Sequence, residues 1–144
     1  FEQQGYIVTA FDASEELVRL AQSSLNTTVQ TCTFKSFQAK QPFDGIWACA
    51  SLLHVPLEEL SQTFEHLTQF LKPHGTFYCS FKYGEQVTQR GNRTFTDCNE
   101  KLLMSVLKDT DLKLTEFWIT HDLRPGREDE LWLNALLSKK PNFG

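Results

Sequence analysis

Hydrophobic and polar positions along the chain fall into blocks that predict an ordered series of strands and helices. A buried strand over residues 6–12 ends on a carboxylate and leads into a helix over about 14–25, whose apolar residues share one face. Residues 28–34 predict a second strand. The nearly continuous apolar run Phe43–Ala50 predicts a third strand that is covered on both faces. The chain therefore opens with alternating strands and helices, which is typical of a parallel sheet.

The middle of the chain continues this alternation. Apolar residues spaced by three and four from Leu57 to Leu71 predict an amphipathic helix, which we expect the Lys-Pro-His-Gly segment at 72–75 to stop. A strand over 76–82 follows. A polar loop then leads to a helix for which Thr96 is the predicted cap.

Two strands close the chain, at about 112–121 and 131–139. The connection between them is too short for a parallel crossover, so we expect an antiparallel pair. The whole pattern, βαβ(α)βαββ, predicts an α/β fold with a mostly parallel sheet and a C-terminal antiparallel hairpin. At 144 residues the chain predicts a single domain, 1–144.

Composition narrows the function classes. The net charge is −4, and a nucleic-acid surface would need a clustered basic face, so we expect no nucleic-acid partner. No apolar run has the length of a membrane span, so we expect no membrane partner. The four cysteines, at 32, 49, 79 and 98, lack metal-ligand spacing, which predicts reduced thiols, no metal site and a cytoplasmic location.

Asp12 is the residue with the most specific candidate chemistry. A parallel strand that ends on an acid is how α/β folds hold the ribose of a nucleoside cofactor. An ionised carboxylate only accepts hydrogen bonds, and a ribose diol offers two donors. Ser14 is placed to cap the following helix. The alternative interpretation is that Asp12 ends its strand as an ordinary turn residue.

Segments along essentially the whole chain resemble class I S-adenosylmethionine-dependent methyltransferases, and most closely small bacterial members of the tellurite-resistance type. The segments that carry the resemblance are Val8–Ser14, Phe43–Pro56, Leu71–Gly75, Ser80–Glu85 and Arg124–Glu128. The resemblance implies a Rossmann-like methyltransferase sheet. The family's first strand and glycine-rich turn are missing, and residues 1–4 look like the tail of a helix. We therefore expect an N-terminally truncated domain whose first strand is absent.

The resemblance also implies a site for S-adenosylmethionine at the carboxyl ends of the strands. Asp12 would hold the ribose, with adenine near Thr33 and Phe34 and the methionine end near Cys49. The full set of implied cofactor contacts is Asp12, Ala13, Ser14, Thr33, Phe34, Cys49, Ala50, Ser51 and Leu52. Ordinary strand packing is the alternative for Thr33 and Phe34.

Three further residues are candidates for the reaction itself. His54 follows the third strand and could take a proton from the methyl acceptor or contact it. The alternative is that His54 is a polar residue that starts a loop. Lys82 and Arg124 could attract an anionic substrate, although the interleaved acids favour a solvated loop of mixed charge.

The leading hypothesis is methyl transfer from S-adenosylmethionine to a small-molecule acceptor. A second hypothesis is an inactive, truncated remnant of the fold that persists as an oligomer, because a homodimer or strand exchange would compensate for the missing first strand. A third is a nicotinamide-dependent oxidoreductase, since Asp12 would also suit the adenosine ribose of that cofactor. The terminal antiparallel hairpin and the lack of a glycine fingerprint disfavour it.

Overall fold

A computed structural model describes residues 10–12, 29–49, 51–90, 93–127 and 129–141. The chain divides into two compact units, Phe1–Lys40 and Gln41–Gly144. The predicted helix over 14–25 and the predicted cofactor contacts Ala13, Ser14 and Ala50 lie outside the described residues. None of the helices in the described ranges is both long enough and apolar enough to span a bilayer.

The first unit contains a pair of short parallel strands, β1 (Ala10–Asp12) and β2 (Val29–Thr31). Asp12 lies opposite Thr31 at the carboxyl end of the pair. Phe11 stacks on Phe37 with ring centroids 4.5 Å apart and meets Phe34 edge to face at 5.6 Å. Since Phe37 is buried, these rings form the apolar centre of the described part of this unit.

The second unit carries the other described elements, among them a 3-10 turn at Leu52–His54. In chain order they are β3 (Phe43–Ala48), helix α1 (Leu57–Thr68), β4 (Leu71–Lys82), β5 (Val87–Arg90), β6 (Arg93–Thr96), helix α2 (Glu100–Leu107), β7 (Leu112–His121) and β8 (Leu131–Lys139).

Four of these strands form one sheet in the order β3-β4-β8-β7. The β3–β4 pair is parallel, whereas β8 is antiparallel to both β4 and β7. The predicted C-terminal hairpin is therefore confirmed, while this sheet is partly parallel and partly antiparallel rather than mostly parallel. Side chains from one face of the sheet, including Phe77 and Leu133, form the core with residues such as Phe64 of α1 and Leu103 of α2.

The boundary between α1 and β4 differs from the prediction. The helix ends at Thr68, and β4 begins at Leu71, so the Lys-Pro-His-Gly segment belongs to the strand. Leu71 lies opposite Phe43 and Thr76 lies opposite Gly45, so the pairing shifts across these residues. A proline is tolerated in a strand where such an irregularity removes the need for its N–H.

Two predictions about the following region were wrong. The polar loop before α2 contains the antiparallel hairpin β5–β6. Asn99 caps α2, accepting a hydrogen bond from the Leu102 N–H at 2.8 Å. Thr96 instead ends β6, where it is fully buried and its hydroxyl donates to the Val55 carbonyl at 2.9 Å.

The prediction that β3 is covered on both faces was also wrong. The side chain of Trp47 is 57% exposed, and both Asp44 and Gly45 are exposed. Trp47 nevertheless packs on the sheet, because its ring stacks on Tyr78 at a centroid distance of 4.0 Å. This stacking leaves one side of the indole toward solvent.

Candidate functional site

A cleft of about 360 Å³ lies at the carboxyl end of β4. The cleft is lined by residues from the end of β4, from the β5–β6 region and from the start of β8 with the segment before it. These residues are Lys82, Tyr83, Gln86, Phe95, Asp97, Asp129, Glu130 and Leu131. In open α/β sheets, ligands bind beyond the carboxyl ends of the parallel strands. The cleft therefore has the location expected of a substrate site.

Backbone hydrogen bonds hold the cleft walls to the end of β4. The Cys98 N–H donates to the Lys82 carbonyl at 2.8 Å, and the Tyr83 N–H donates to the Leu131 carbonyl at 2.9 Å. The Tyr83 hydroxyl donates to Glu100 at 2.9 Å, which raises the pKa of Tyr83 because the bond requires the protonated phenol. Tyr83 thus stays neutral at the cleft.

Asp122 anchors the connection between β7 and β8. Its buried carboxylate accepts hydrogen bonds from the side chain and backbone N–H of Arg124 and from the Trp132 indole N–H at 3.2 Å. These bonds favour the charged form, so the pKa of Asp122 lies well below its usual range, with the Arg124 side chain as the largest cause. The carboxylate therefore stays ionised while it fixes this connection.

Both predicted substrate cations take part in ion pairs. Lys82 Nζ lies 3.1 Å from a carboxylate oxygen of Glu130, and Arg124 is paired with Asp122 at 2.7 Å. Glu130 is also 3.9 Å from guanidinium nitrogens of Arg124 and Arg127. Lys82 lines the cleft, whereas the lining does not include Arg124. The ion pairs that Lys82 and Arg124 make with Glu130 thus link the cleft to the connection between β7 and β8.

His54 sits at the end of the 3-10 turn, with an exposed side chain. Leu52 and Leu53 anchor the turn in the core, and the His54 ring meets Phe95 edge to face at 5.0 Å. Nδ1 of His54 lies 3.3 Å from the Thr94 carbonyl oxygen. Because a carbonyl only accepts, the neutral ring carries its proton on Nδ1 and keeps the lone pair on Nε2.

The predicted methionine-end residues follow β3. Cys49 is exposed, and its sulfur accepts a hydrogen bond from the Ser80 hydroxyl at 3.8 Å. Leu52 is fully buried, so its side chain belongs to the core and only its backbone could meet a ligand. Ser51 is half-buried, and its carbonyl accepts the His54 N–H at 3.3 Å.

The predicted adenosine residues lie in the first unit. The strand β1 ends on Asp12, as predicted. Thr33 opens a tight turn in which its N–H donates to the Ser36 hydroxyl at 2.8 Å, and its carbonyl accepts the Phe37 N–H at 3.0 Å. Phe34 is half-buried against Phe11. Both polar groups of the Thr33 backbone thus have partners within the turn.

Sequence reasoning missed Tyr83, Phe95 and Asp122. The Gly91-Asn92 pair between two runs rich in threonine is a signal that predicts a two-residue hairpin and would have placed Phe95 in a strand. No comparable local signal distinguishes Asp122 from the neighbouring acids. Within the described ranges, no group of His, Cys, Asp and Glu side chains could hold a metal ion.

Comparison with known proteins identifies the family. The profile of the methyltransferase domain family matches residues 1–75, which is more than half of the chain. No curated protein sequence matches the chain.

Solved structures of methyltransferases share the fold. The chain is 21% identical to 1,6-didemethyltoxoflavin-N1-methyltransferase of Burkholderia thailandensis, with a TM-score of 0.82 over 98% of this chain and 64% of that one. An S-adenosylmethionine-dependent methyltransferase of Methanosarcina mazei is 17% identical, with a TM-score of 0.80 over 96% of this chain and 84% of that one.

A third such structure is magnesium protoporphyrin IX methyltransferase of Synechocystis, which is 20% identical, with a TM-score of 0.66 over 93% of this chain and 61% of that one. The chain thus spans less than two thirds of the Burkholderia enzyme's length. The family match and the shared architecture lead to one conclusion: this chain belongs to the methyltransferase domain family and has the class I, Rossmann-like methyltransferase fold.

Proposed function

We propose that this chain transfers a methyl group from S-adenosylmethionine to a small-molecule acceptor. The observation that carries the proposal is the cleft at the carboxyl end of β4 in a chain of the methyltransferase domain family. When bound, the cofactor supplies an electrophilic methyl group on a sulfonium, and the protein orients the acceptor and takes up its proton.

On the cofactor side, each unit offers its own set of contacts. In the first unit, we propose that Asp12 accepts hydrogen bonds from the ribose hydroxyls and that adenine lies near Thr33 and Phe34. In the second unit, the proposed contacts for the methionine end are Cys49 and the backbone of Ser51. The exposed position of Cys49 at the end of β3 supports this assignment.

On the acceptor side, we propose that the cleft binds the acceptor and that His54 takes up its proton. The lone pair on Nε2 of His54 suits it to accept a proton from an O–H or N–H acceptor. Among the described residues that line the cleft, Asp97, Asp129 and Glu130 carry carboxylates, and Lys82 is the one cation. This balance favours a neutral or cationic acceptor over the anionic one that Lys82 and Arg124 suggest in the sequence.

Calorimetric titration of the full chain with S-adenosylhomocysteine, the product form of the cofactor, tests the cofactor half. We expect saturable binding, weakened about ten- to a hundredfold in Asp12→Asn, because hydrogen bonds to a charged group contribute about 1.5–3 kcal/mol. Asp44→Asn is the control, since Asp44 is exposed and pairs only with Lys72 among the described contacts. Failure of S-adenosylhomocysteine to bind, or preferential binding of NAD, would contradict the proposal.

A second variant, His54→Asn, tests the acceptor half. The asparagine amide can keep a donor near the Thr94 carbonyl but has no group equivalent to Nε2. We expect unchanged binding of S-adenosylhomocysteine and a loss of methyl transfer of about 10²–10⁴-fold, the usual contribution of a positioned base. His74→Asn, at an exposed residue of β4, is the matched control. If the His54→Asn variant transferred methyl groups as fast as the wild type, His54 would have no role in the reaction.

A further inference from the structure

The outer strand of the four-stranded sheet, β7, has an unusual edge. Among the described residues it pairs with β8 alone, so its other side offers unpaired backbone groups. Three consecutive large apolar residues project from it, Phe117, Trp118 and Ile119, which are 43%, 40% and 43% exposed. Folded proteins usually protect such edges with charges or proline, and the stretch 117–120 contains neither.

We propose that β7 is a docking edge for a second copy of this chain, paired antiparallel about a two-fold axis at Trp118. The two sheets would then continue into one sheet across the contact. This inference concerns assembly and is independent of methyl transfer.

The two-fold symmetry restricts the possible registers. An axis perpendicular to the sheet keeps each face on the same side, so paired residue numbers sum to an even value. With Trp118 on the axis, Phe117 lies opposite Ile119 of the second copy, and Glu116 lies opposite Thr120. Apolar side chains then meet apolar ones, and no like charges face each other.

The neighbouring registers are less favourable. A shift toward the C-terminus sets Phe117 opposite His121 and Trp118 opposite Thr120 of the second copy, so two of the three apolar residues face polar ones. A shift toward the N-terminus places the charge of Glu116 opposite Trp118, where it would lose water. The positions of the apolar residues and the charge of Glu116 therefore favour the register centred on Trp118.

The area available indicates a weak contact. Large side chains bury about 150–250 Å² each when covered, so the exposed two-fifths of Phe117, Trp118 and Ile119 amount to roughly 250 Å² per copy. Stable interfaces cover about 800 Å² per partner. We therefore expect a dimer that dissociates on dilution rather than a permanent one.

Sedimentation equilibrium of the full chain tests the proposal from micromolar to submillimolar concentration. The wild type should pass from monomer to dimer, and Trp118→Lys should weaken dimerisation at least about tenfold because two lysines meet on the axis. Ile119→Lys, on the opposite face of the strand, should do the same if Trp118→Lys disturbs folding. Met104→Lys is the control, since Met104 is 59% exposed and belongs to α2 rather than to the strand proposed to pair.

Cross-linking tests the register itself. Residues directly opposite each other in an antiparallel pair have Cα atoms about 4.5–5.5 Å apart, within the range of a disulfide. In a Cys49→Ser background, which removes the exposed native thiol, Trp118→Cys should form an intermolecular disulfide on mild oxidation, whereas Met104→Cys and the Cys49→Ser parent should not. A wild type that stays monomeric at every concentration, or a dimer unaffected by both lysine variants, would overturn the proposal.

Discussion

Asp122 and Arg124, two residues apart, are joined by a hydrogen-bonded ion pair at the base of the β7–β8 connection. The Asp122 carboxylate accepts the Arg124 Nε at 3.0 Å, a terminal guanidinium nitrogen at 2.7 Å and the Arg124 backbone N–H at 2.9 Å. Two parallel bonds between a guanidinium and a carboxylate fix orientation as well as distance. The Asp122 carboxylate therefore helps to hold the connection that carries Asp129 and Glu130 to the cleft, beside the hydrogen bond from the Asp122 N–H to the Glu130 carbonyl at 2.9 Å.

Replacing this carboxylate should reduce stability in a pH-dependent way. The folded-state pKa of Asp122 lies below its unfolded value, so the ionised group stabilises the fold above about pH 4, and this contribution is lost as the pH falls further. We expect Asp122→Asn to lower the Tm by several degrees at neutral pH, with a smaller difference in acid.

Thermal unfolding of both proteins from neutral pH to pH 3 measures this effect. Asp109→Asn, at an exposed residue after α2, is the control and should leave the Tm unchanged. A difference between wild type and Asp122→Asn that stays constant over this range would mean that the charge of Asp122 is not responsible.

A second prediction concerns the contact between the β5–β6 hairpin and the turn that carries His54. Thr96 is fully buried and donates to the Val55 carbonyl, so Thr96→Val leaves a buried carbonyl without its donor. We expect a loss of about 1–3 kcal/mol in the free energy of unfolding and faster amide exchange in β6.

Thr115→Val is the matched control, because Thr115 is exposed and its hydroxyl bonds only to Ser138 among the residues that the structure describes. Its free energy of unfolding should change by less than about 0.5 kcal/mol. If Thr96→Val were equally neutral, the hairpin would be held by its backbone bonds and apolar packing instead.

Gly75 provides a third prediction at the start of β4. A Cβ at this position would lie 2.5 Å from a Leu71 methyl carbon and 2.9 Å from the Asp44 carbonyl oxygen. Gly75→Ala should therefore cost about 1–3 kcal/mol, since the β3 backbone must move away. Gly45→Ala is the control, because its nearest neighbour would be at an ordinary 3.5 Å. Urea denaturation measures the stability of both variants. Equal midpoints for Gly75→Ala and Gly45→Ala would show that the β3 backbone moves away from the added Cβ without a cost in stability.

Sequence patterns predicted the elements whose signals are local. The strands at Leu112–His121 and Leu131–Lys139 were placed at their observed positions because a short connection and alternating residues define a hairpin. The α1–β4 boundary was wrong because Pro73 is normally a stop signal. Here the pairing irregularity between Leu71 and Thr76 accommodates it within the strand.

The candidate site was harder to predict because its key contacts are distant in sequence. Asp122 reads as one acid among several, and its burial depends on Trp132 across the β7–β8 connection. The sequence predicts His54 as a candidate, but the orientation of its ring depends on the Thr94 carbonyl, which belongs to a hairpin that the sequence analysis treated as a loop. Contacts between residues that are distant in sequence produce no periodic pattern of hydrophobic and polar positions along the chain.

The position of β8 has a consequence for synthesis. This strand follows β7 in the chain, yet it lies inside the sheet, between β4 and β7. Neither neighbour can complete its hydrogen bonds until β8 has left the ribosome, so until then β4 is paired only with β3 and β7 lacks its partner in the sheet. We therefore expect the four-stranded sheet to form only after β8 has emerged, and to need protection from aggregation until then.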